Sequence, residues 1–122
     1  MKKPDEEKWN EDEGYLVVSI MLKELFDGVR KKNEKRISEL SDEQKTTIKE
    51  FVDYTEEAVL AHYQAFSHDQ DDSANKVYSS WKRYVESMKK ENPEIADLVT
   101  EFAQPVAHLV SELAKKVRNL SA

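Results

Sequence analysis

Residues 92–120 read NPEIADLVTEFAQPVAHLVSELAKKVRNL, and this stretch decides the fold. Its apolar residues recur at intervals of three and four, the spacing that places side chains on one face of an α-helix. Asn92 is a preferred N-cap residue and Pro93 suits the first helical position, so a helix is predicted to begin there. The apolar positions of this predicted helix are Ile95, Leu98, Val99, Phe102, Val106, Leu109, Val110, Leu113, Val117 and Leu120.

Pro105 lies inside this apolar stripe. A proline there lacks the amide that would donate to the carbonyl of Glu101, and its ring clashes with the preceding turn of the helix. The three-four spacing nevertheless continues on both sides of the proline. The sequence therefore predicts a single helix that is kinked at Pro105.

Three stretches upstream show the same helical spacing. The first is predicted to begin near Glu11 and to end in the low thirties, and its apolar stripe is widened by residues such as Leu16 and Ile20. Gly28 weakens a helix interior by about 1 kcal/mol relative to alanine. Two forms are therefore predicted: one long helix with a weak point at Gly28, or a first helix followed by a short piece that ends at Leu40.

The next two stretches have clearer boundaries. Ser41 followed by Gln44 fits the capping box, in which each residue satisfies an amide of the other, so a helix is predicted from there to about Ser67. Another helix is predicted to begin at Asp72 or Ser73. The connections are short, and short connections place successive helices antiparallel to one another.

The fold class that follows is all-α: an up-and-down bundle of four main helices, the last one kinked at Pro105. Residues 11–122 form the single bundle domain, and residues 1–10, which are polar and rich in acidic side chains, form a flexible acidic arm. With only 2 glycines and 3 prolines in 122 residues, the chain has too few turn formers for an all-β fold.

Composition excludes several classes of function. The formal net charge of −6 disfavours nucleic acid as a partner, and no apolar run is long enough to cross a membrane. Without cysteine there is no disulfide framework and no thiolate zinc site. The chain lacks a Gly-rich phosphate loop and a nucleophile elbow, so we expect no enzymatic activity. The expected location is the cytoplasm.

His62 and His108 are the candidate ligand-binding residues. His62 lies on an apolar stripe, and His108 follows Pro105, where a kink opens space between helices. One alternative is therefore a ligand-binding bundle for haem, a metal or an apolar small molecule, with Tyr63 and Phe102 in the lining. The Glu-x-x-His pattern of di-iron bundles is absent at both histidines. We therefore predict structural histidines, no metal and no cofactor.

The predicted helix over residues 73–91 is basic in an otherwise acidic chain. Its aromatic residues Tyr78, Trp81 and Tyr84 are three positions apart, a spacing that fits packing into the core and also fits stacking against single-stranded nucleic acid. A second alternative is therefore a nucleic-acid binder through this helix, or an acidic nucleic-acid mimic through the arm. The candidate contact residues of the helix are Lys82, Arg83, Lys89 and Lys90.

The leading hypothesis is a non-enzymatic helical interaction module: a small regulator, inhibitor or immunity-type protein that acts through protein–protein binding. Trp9 is an aromatic residue outside the periodic core and is a candidate contact in the acidic arm. A homo-oligomer is also compatible with the sequence, since the first helix is apolar on more than one side.

Overall fold

A computed structural model of the chain describes the backbone of residues 4–68 and 70–121, and the side chains of residues 14–68, 70–113 and 115. Within these ranges the chain is helical and contains no β-strand, which confirms the predicted all-α bundle of four main helices. The elements are α1 (Pro4–Lys32), α2 (Glu34–Ser38), α3 (Asp42–Ser67), α4 (Asp71–Glu91), a 3-10 turn (Pro93–Ile95) and α5 (Ala96–Ser121).

The first helix begins earlier than predicted. α1 begins at Pro4 rather than near Glu11. Proline is favoured in the first turn because the amides of that turn have no acceptor within the helix. The predicted flexible arm covered residues 1–10. Residues 1–3 lie outside the described residues, and the backbone of residues 4–10 is helical. The flexibility of the arm stays a prediction.

The break after α1 falls at Asn33 and not at Gly28. The backbone amide and the side-chain amide of Asn33 both donate to the carbonyl of Val29, at 3.0 and 2.9 Å, and so close the last turn of α1. The short α2 follows directly, which is the second of the two forms predicted. Gly28 therefore lies in an uninterrupted helix.

Because Gly28 is exposed and an added Cβ there would meet no atom within 4 Å, Gly28→Ala is expected to stabilise the fold. The expected gain in the free energy of unfolding is about 1 kcal/mol, from helix propensity alone. Urea denaturation followed by circular dichroism measures it.

Gly14→Ala is the matched comparison for that substitution. A Cβ at Gly14 would collide with the hydroxyl of Tyr63 on α3, so the tyrosine ring must shift. The cost of that shift offsets the stability gained from the higher helix propensity of alanine. Equal gains at the two glycines would contradict the packing of α1 on α3.

α2 adds contacts at the start of α5. Arg36 Nη2 donates to the carbonyl of Glu94 at 2.8 Å and to Asp97 Oδ1 at 2.7 Å. These contacts join α2 to the 3-10 turn and to the first turn of α5. Lys32 Nζ adds an exposed ion pair with Glu101 Oε2 at 3.6 Å.

The predicted start of α3 is confirmed in detail. Gln44 N donates to Ser41 Oγ at 3.1 Å, and Ser41 N donates to Gln44 Oε1 at 3.0 Å, which completes the capping box. The reciprocal bonds satisfy two amides that the first turn of a helix leaves without partners.

Asn92 is the N-cap residue of the 3-10 turn and Pro93 its first residue, as predicted, but the side chain of Asn92 makes no capping bond there. Its side-chain amide donates to the carbonyl of Met88 at 3.1 Å, as does its backbone amide at 2.9 Å, so Asn92 closes α4 instead. Pro93 then opens the 3-10 turn, and α5 begins at Ala96. α5 passes through Pro105 without interruption, as predicted, and the size of the bend there stays a prediction.

The core lies between the four long helices α1, α3, α4 and α5. α3 contacts α1, α4 and α5, and α5 also contacts α1 and α4. Phe26 of α1 meets Phe102 of α5 with their ring centroids 6.1 Å apart. No helix within the described part of the chain has both the length and the apolarity to cross a bilayer. The most deeply buried large side chains are Phe26, Phe51, Phe102, Leu22, Ile95, Leu98, Val18, Val99, Val106 and Thr55.

Candidate functional site

The two candidate histidines lie in different surroundings. His62 is buried, and its Nδ1 lies 2.9 Å from the carbonyl oxygen of Ala74, which assigns the proton to Nδ1 as the donor. Its ring also contacts Phe66 and Tyr78, with centroids 5.8 Å away in each case. His108 is exposed on α5. The two imidazoles are therefore not arranged around a shared interior site.

The space beside His62 is too small for a cofactor. The cavity there measures about 10 Å³, and its lining includes Val59, Trp81 and Val110 but not His108. A volume of this size is about that of one water molecule. No group of three or more metal-ligating side chains occurs among the residues that the structure describes.

The cations of α4 fall into two sets. Lys82 is engaged within the chain, with its Nζ 5.5 Å from the centre of the Tyr78 ring, and Lys89 Nζ lies 3.7 Å from Glu86 Oε1. Arg83 and Lys90 are exposed and have no ion-pair partner in the described part of the chain. Of the four cations chosen from the sequence, these two are available to another molecule.

The aromatic residues of α4 pack into the bundle. Trp81 is 4 % exposed, and its Nε1 donates to Thr55 Oγ1 of α3 at 3.0 Å. Tyr78 and Tyr84 are partly buried and pack against the core. All three rings therefore pack against the core, and no ring of α4 is left free for a base to stack on.

Tyr84 belongs to an aromatic cluster between α3 and α4. Its ring centroid lies 4.0 Å from that of Tyr54 and 5.8 Å from that of Phe51. Burial, together with the nearby charges of Glu50 and Glu91, raises the pKa of the Tyr84 phenol above its usual value. The phenol is therefore neutral at physiological pH, where its ring packs against Tyr54 and Phe51.

The most distinctive surface lies on α1, where three apolar side chains face solvent. Leu16, Val17 and Ile20 are 59 %, 47 % and 48 % exposed. Leu16 and Ile20 are one turn apart with Val17 beside them, whereas Val18 and Leu22 point into the bundle. At about 100° per residue, the exposed group lies on the side of α1 about opposite to its buried side. We call Leu16, Val17 and Ile20 the α1 patch.

The α1 patch corrects one part of the sequence interpretation. The helical spacing predicts Leu16 and Ile20 in the apolar stripe of the first helix, and both are exposed. The signal was present in the sequence as a stripe too wide for one buried face. What the sequence did not show is which side of the stripe the other helices cover. Trp9, the other candidate contact on this helix, has a side chain outside the described residues.

Acidic residues lie at both ends of the α1 patch along the helix. Residues 4–13, whose backbone continues α1, contain six carboxylate residues and one lysine. Glu24 and Lys23, about one turn beyond Ile20, are both exposed. The excess of carboxylates therefore precedes the patch, where it attracts cationic partners and repels anionic ones.

Comparison of the chain with protein-family models, with curated proteins and with solved structures found no match in any of the three.

Proposed function

We propose that this chain is a non-enzymatic interaction module in the cytoplasm, and that its α1 patch binds an amphipathic, basic helix of a partner protein. The observation that carries the proposal is the exposure of Leu16, Val17 and Ile20 side by side. Single exposed apolar residues are common on soluble proteins, but adjacent ones of this size are typical of a binding surface.

The geometry of α1 favours a helical partner. Leu16 and Ile20 are four residues apart, so they present a short apolar ridge along the helix axis. A partner helix with apolar residues at intervals of three and four can pack against such a ridge. The buried side of α1, which includes Phe26, is held by the bundle, so the patch is presented on a fixed support.

The charges beside the patch select the sign of the partner. Six carboxylate residues precede the patch in residues 4–13, and Glu24 follows it. Lysine or arginine residues flanking the apolar stripe of the partner would be attracted to the acidic N-terminal end, whereas Lys23 lies beside Glu24 at the other end. Like charges at an interface are unfavourable, so an acidic helix with the same apolar stripe is disfavoured.

Two labelled helical peptides test this proposal by fluorescence anisotropy. Both repeat leucine at intervals of three and four, and the remaining positions are lysine in one peptide and glutamate in the other. The lysine peptide is expected to bind, and the variant L16Q/I20Q is expected to weaken that binding by about tenfold or more.

The matched control is N75Q/S79Q, which changes an exposed pair with the same four-residue spacing on α4. This variant is expected to bind as the parent does. Equal binding of the two peptides would contradict the charge selection. Equal affinity of L16Q/I20Q and the control variant would contradict the assignment of the binding surface to α1.

A further inference from the structure

Two stripes of exposed charge of opposite sign lie on α3 and α4. In each stripe the residues are seven positions apart, which is about two helical turns, so each stripe follows its helix axis. We call them the acidic stripe and the basic stripe. The acidic stripe consists of Glu43, Glu50 and Glu57 of α3, and the basic stripe consists of Lys76, Arg83 and Lys90 of α4.

The two stripes form no ion pairs with the side chains that the structure describes. All six side chains are exposed, and none of them takes part in an ion pair with another residue of the described part of the chain. Other cations of α4 do pair internally, such as Lys89 with Glu86. The charges of both stripes are therefore available to a second molecule.

Glu57 of the acidic stripe and Lys76 of the basic stripe border a groove that is also lined by small residues. A cavity of about 340 Å³ between α3 and α4 has Glu57 on one side and Lys76 on the other. Ala58 and Val77 form part of its floor, and Tyr54, 40 % exposed, lines it as well. Small residues permit close approach of another helix pair, and an exposed tyrosine is a typical interface anchor.

The relative heights of the stripes follow from two buried contacts. Trp81 is hydrogen-bonded to Thr55, and His62 to Ala74. From the first pair to the second, the residue number rises by seven on α3 and falls by seven on α4. The helices are thus antiparallel, and Glu57 is level with a point between Lys76 and Arg83. At 1.5 Å per residue, the axial offset of Glu57 from these cations is about 4.5 and 6 Å.

We propose that a second copy of this chain docks on this face, around a two-fold axis that runs along the groove parallel to α3 and α4. Such an axis keeps every residue at its height and places the α3 of each copy over the α4 of the other. The acidic stripe of one copy then faces the basic stripe of its partner. Charges alternate along each contact in the order Lys76, Glu57, Arg83, Glu50, Lys90, Glu43.

The charge pattern selects this axis over the other two-fold arrangement of the same face. An axis perpendicular to the helices would place α3 over α3 and bring three carboxylates against three carboxylates. Like charges in contact oppose association, so that arrangement is excluded. About the chosen axis the face is also complementary to itself, as a two-fold interface requires.

The size of the face predicts a reversible dimer. α4 has 21 residues and is about 30 Å long, and two adjacent helices are about 20 Å wide, which gives a face of about 600 Å² per copy. Stable interfaces bury about 800 Å² per partner. The dissociation constant is therefore expected in the micromolar range, within reach of sedimentation velocity at about 1 to 300 μM.

Charge reversal with re-mixing tests the proposal. The variant E43K/E50K/E57K has two basic stripes, and K76E/R83E/K90E has two acidic stripes. Each variant alone is expected to self-associate at least about tenfold more weakly than the parent chain. An equimolar mixture is expected to recover the dimer, because every basic stripe then faces an acidic one. All six positions are exposed, and circular dichroism checks that both variants fold.

The variant E43K/E50K/E57K distinguishes repulsion between the stripes from repulsion caused by the net charge. Each reversal adds two positive charges, so E43K/E50K/E57K has a formal net charge of 0 in place of −6. Overall repulsion between its copies is lower than in the parent, and a loss of dimer therefore reports repulsion between the stripes.

Three results would overturn the proposal: a parent chain that stays monomeric at about 300 μM, reversal variants that dimerise like the parent, or a mixture that does not recover. The variant L16Q/I20Q is the control for the other surface, and its dimer is expected to persist. Loss of the dimer in that variant would move the self-association to the α1 patch and overturn the assignment to α3 and α4.

Discussion

Replacing Phe102 with alanine is expected to lower the free energy of unfolding by about 3–5 kcal/mol, the range measured when a buried phenylalanine is truncated. Phe102 is fully buried on α5 and contacts Phe26 of α1. Truncation removes the contacts between the two helices and leaves a cavity that the surrounding helices fill only in part. Equilibrium denaturation in urea measures the change from the shift of the midpoint at constant slope.

The control for this substitution lies two positions away on the same helix. Gln104 is exposed, and Gln104→Ala is expected to change the free energy of unfolding by less than about 0.5 kcal/mol. A similar, small effect of both substitutions would mean that α5 does not present the Phe102 side to the core.

Thr55→Val is expected to cost about 1–3 kcal/mol although it keeps the size of the side chain. The hydroxyl of Thr55 is the acceptor for the buried indole Nε1 of Trp81, and both residues are almost completely buried. Valine puts a methyl group in place of the oxygen and leaves the indole N–H buried without a partner. Such a group costs free energy because water satisfied it in the unfolded chain.

A double-mutant cycle isolates this hydrogen bond. Trp81→Phe removes the N–H donor, so Thr55→Val is expected to cost less in that background than in the parent chain. Thr55→Ser keeps the hydroxyl and serves as the conservative comparison. An equal cost of Thr55→Val in both backgrounds would show that its effect does not depend on the indole.

The helices themselves were largely predictable, because their signals are local. The spacing of apolar residues around Phe102 and the Ser41–Gln44 capping box each lie within one stretch of sequence, and the structure confirms both. Asn92 occupies the predicted N-cap position, but its side chain bonds backward to Met88 rather than forward into the turn that follows. The same residue type satisfies either helix end, and only the path of the chain decides between them.

Contacts between helices could not be predicted from the spacing of apolar residues alone. The bond from Trp81 to Thr55 joins residues 26 positions apart, and no sequence pattern pairs them. The exposure of Leu16 and Ile20 depends on where α3 and α5 lie against α1. His62 was predicted to be structural from its place in an apolar stripe, and its bond to Ala74 supports that role.

The charge stripes, too, were predictable only in part. The spacing of seven between Lys76, Arg83 and Lys90 is visible in the sequence. The antiparallel register that sets these cations beside the carboxylates of α3 is not, because it follows from buried contacts between the two helices. Of the cations chosen from the sequence, the structure separates Lys82 and Lys89, which have partners, from those that face solvent.

We propose that this protein binds its partner through the solvent-facing side of α1. Titration of the nitrogen-15-labelled chain with the lysine–leucine peptide, followed by amide chemical shifts, tests it most directly. We predict that the largest shift changes fall on residues 16–24. Changes concentrated on α4, around Arg83 and Lys90, or changes spread evenly over the bundle would contradict the claim.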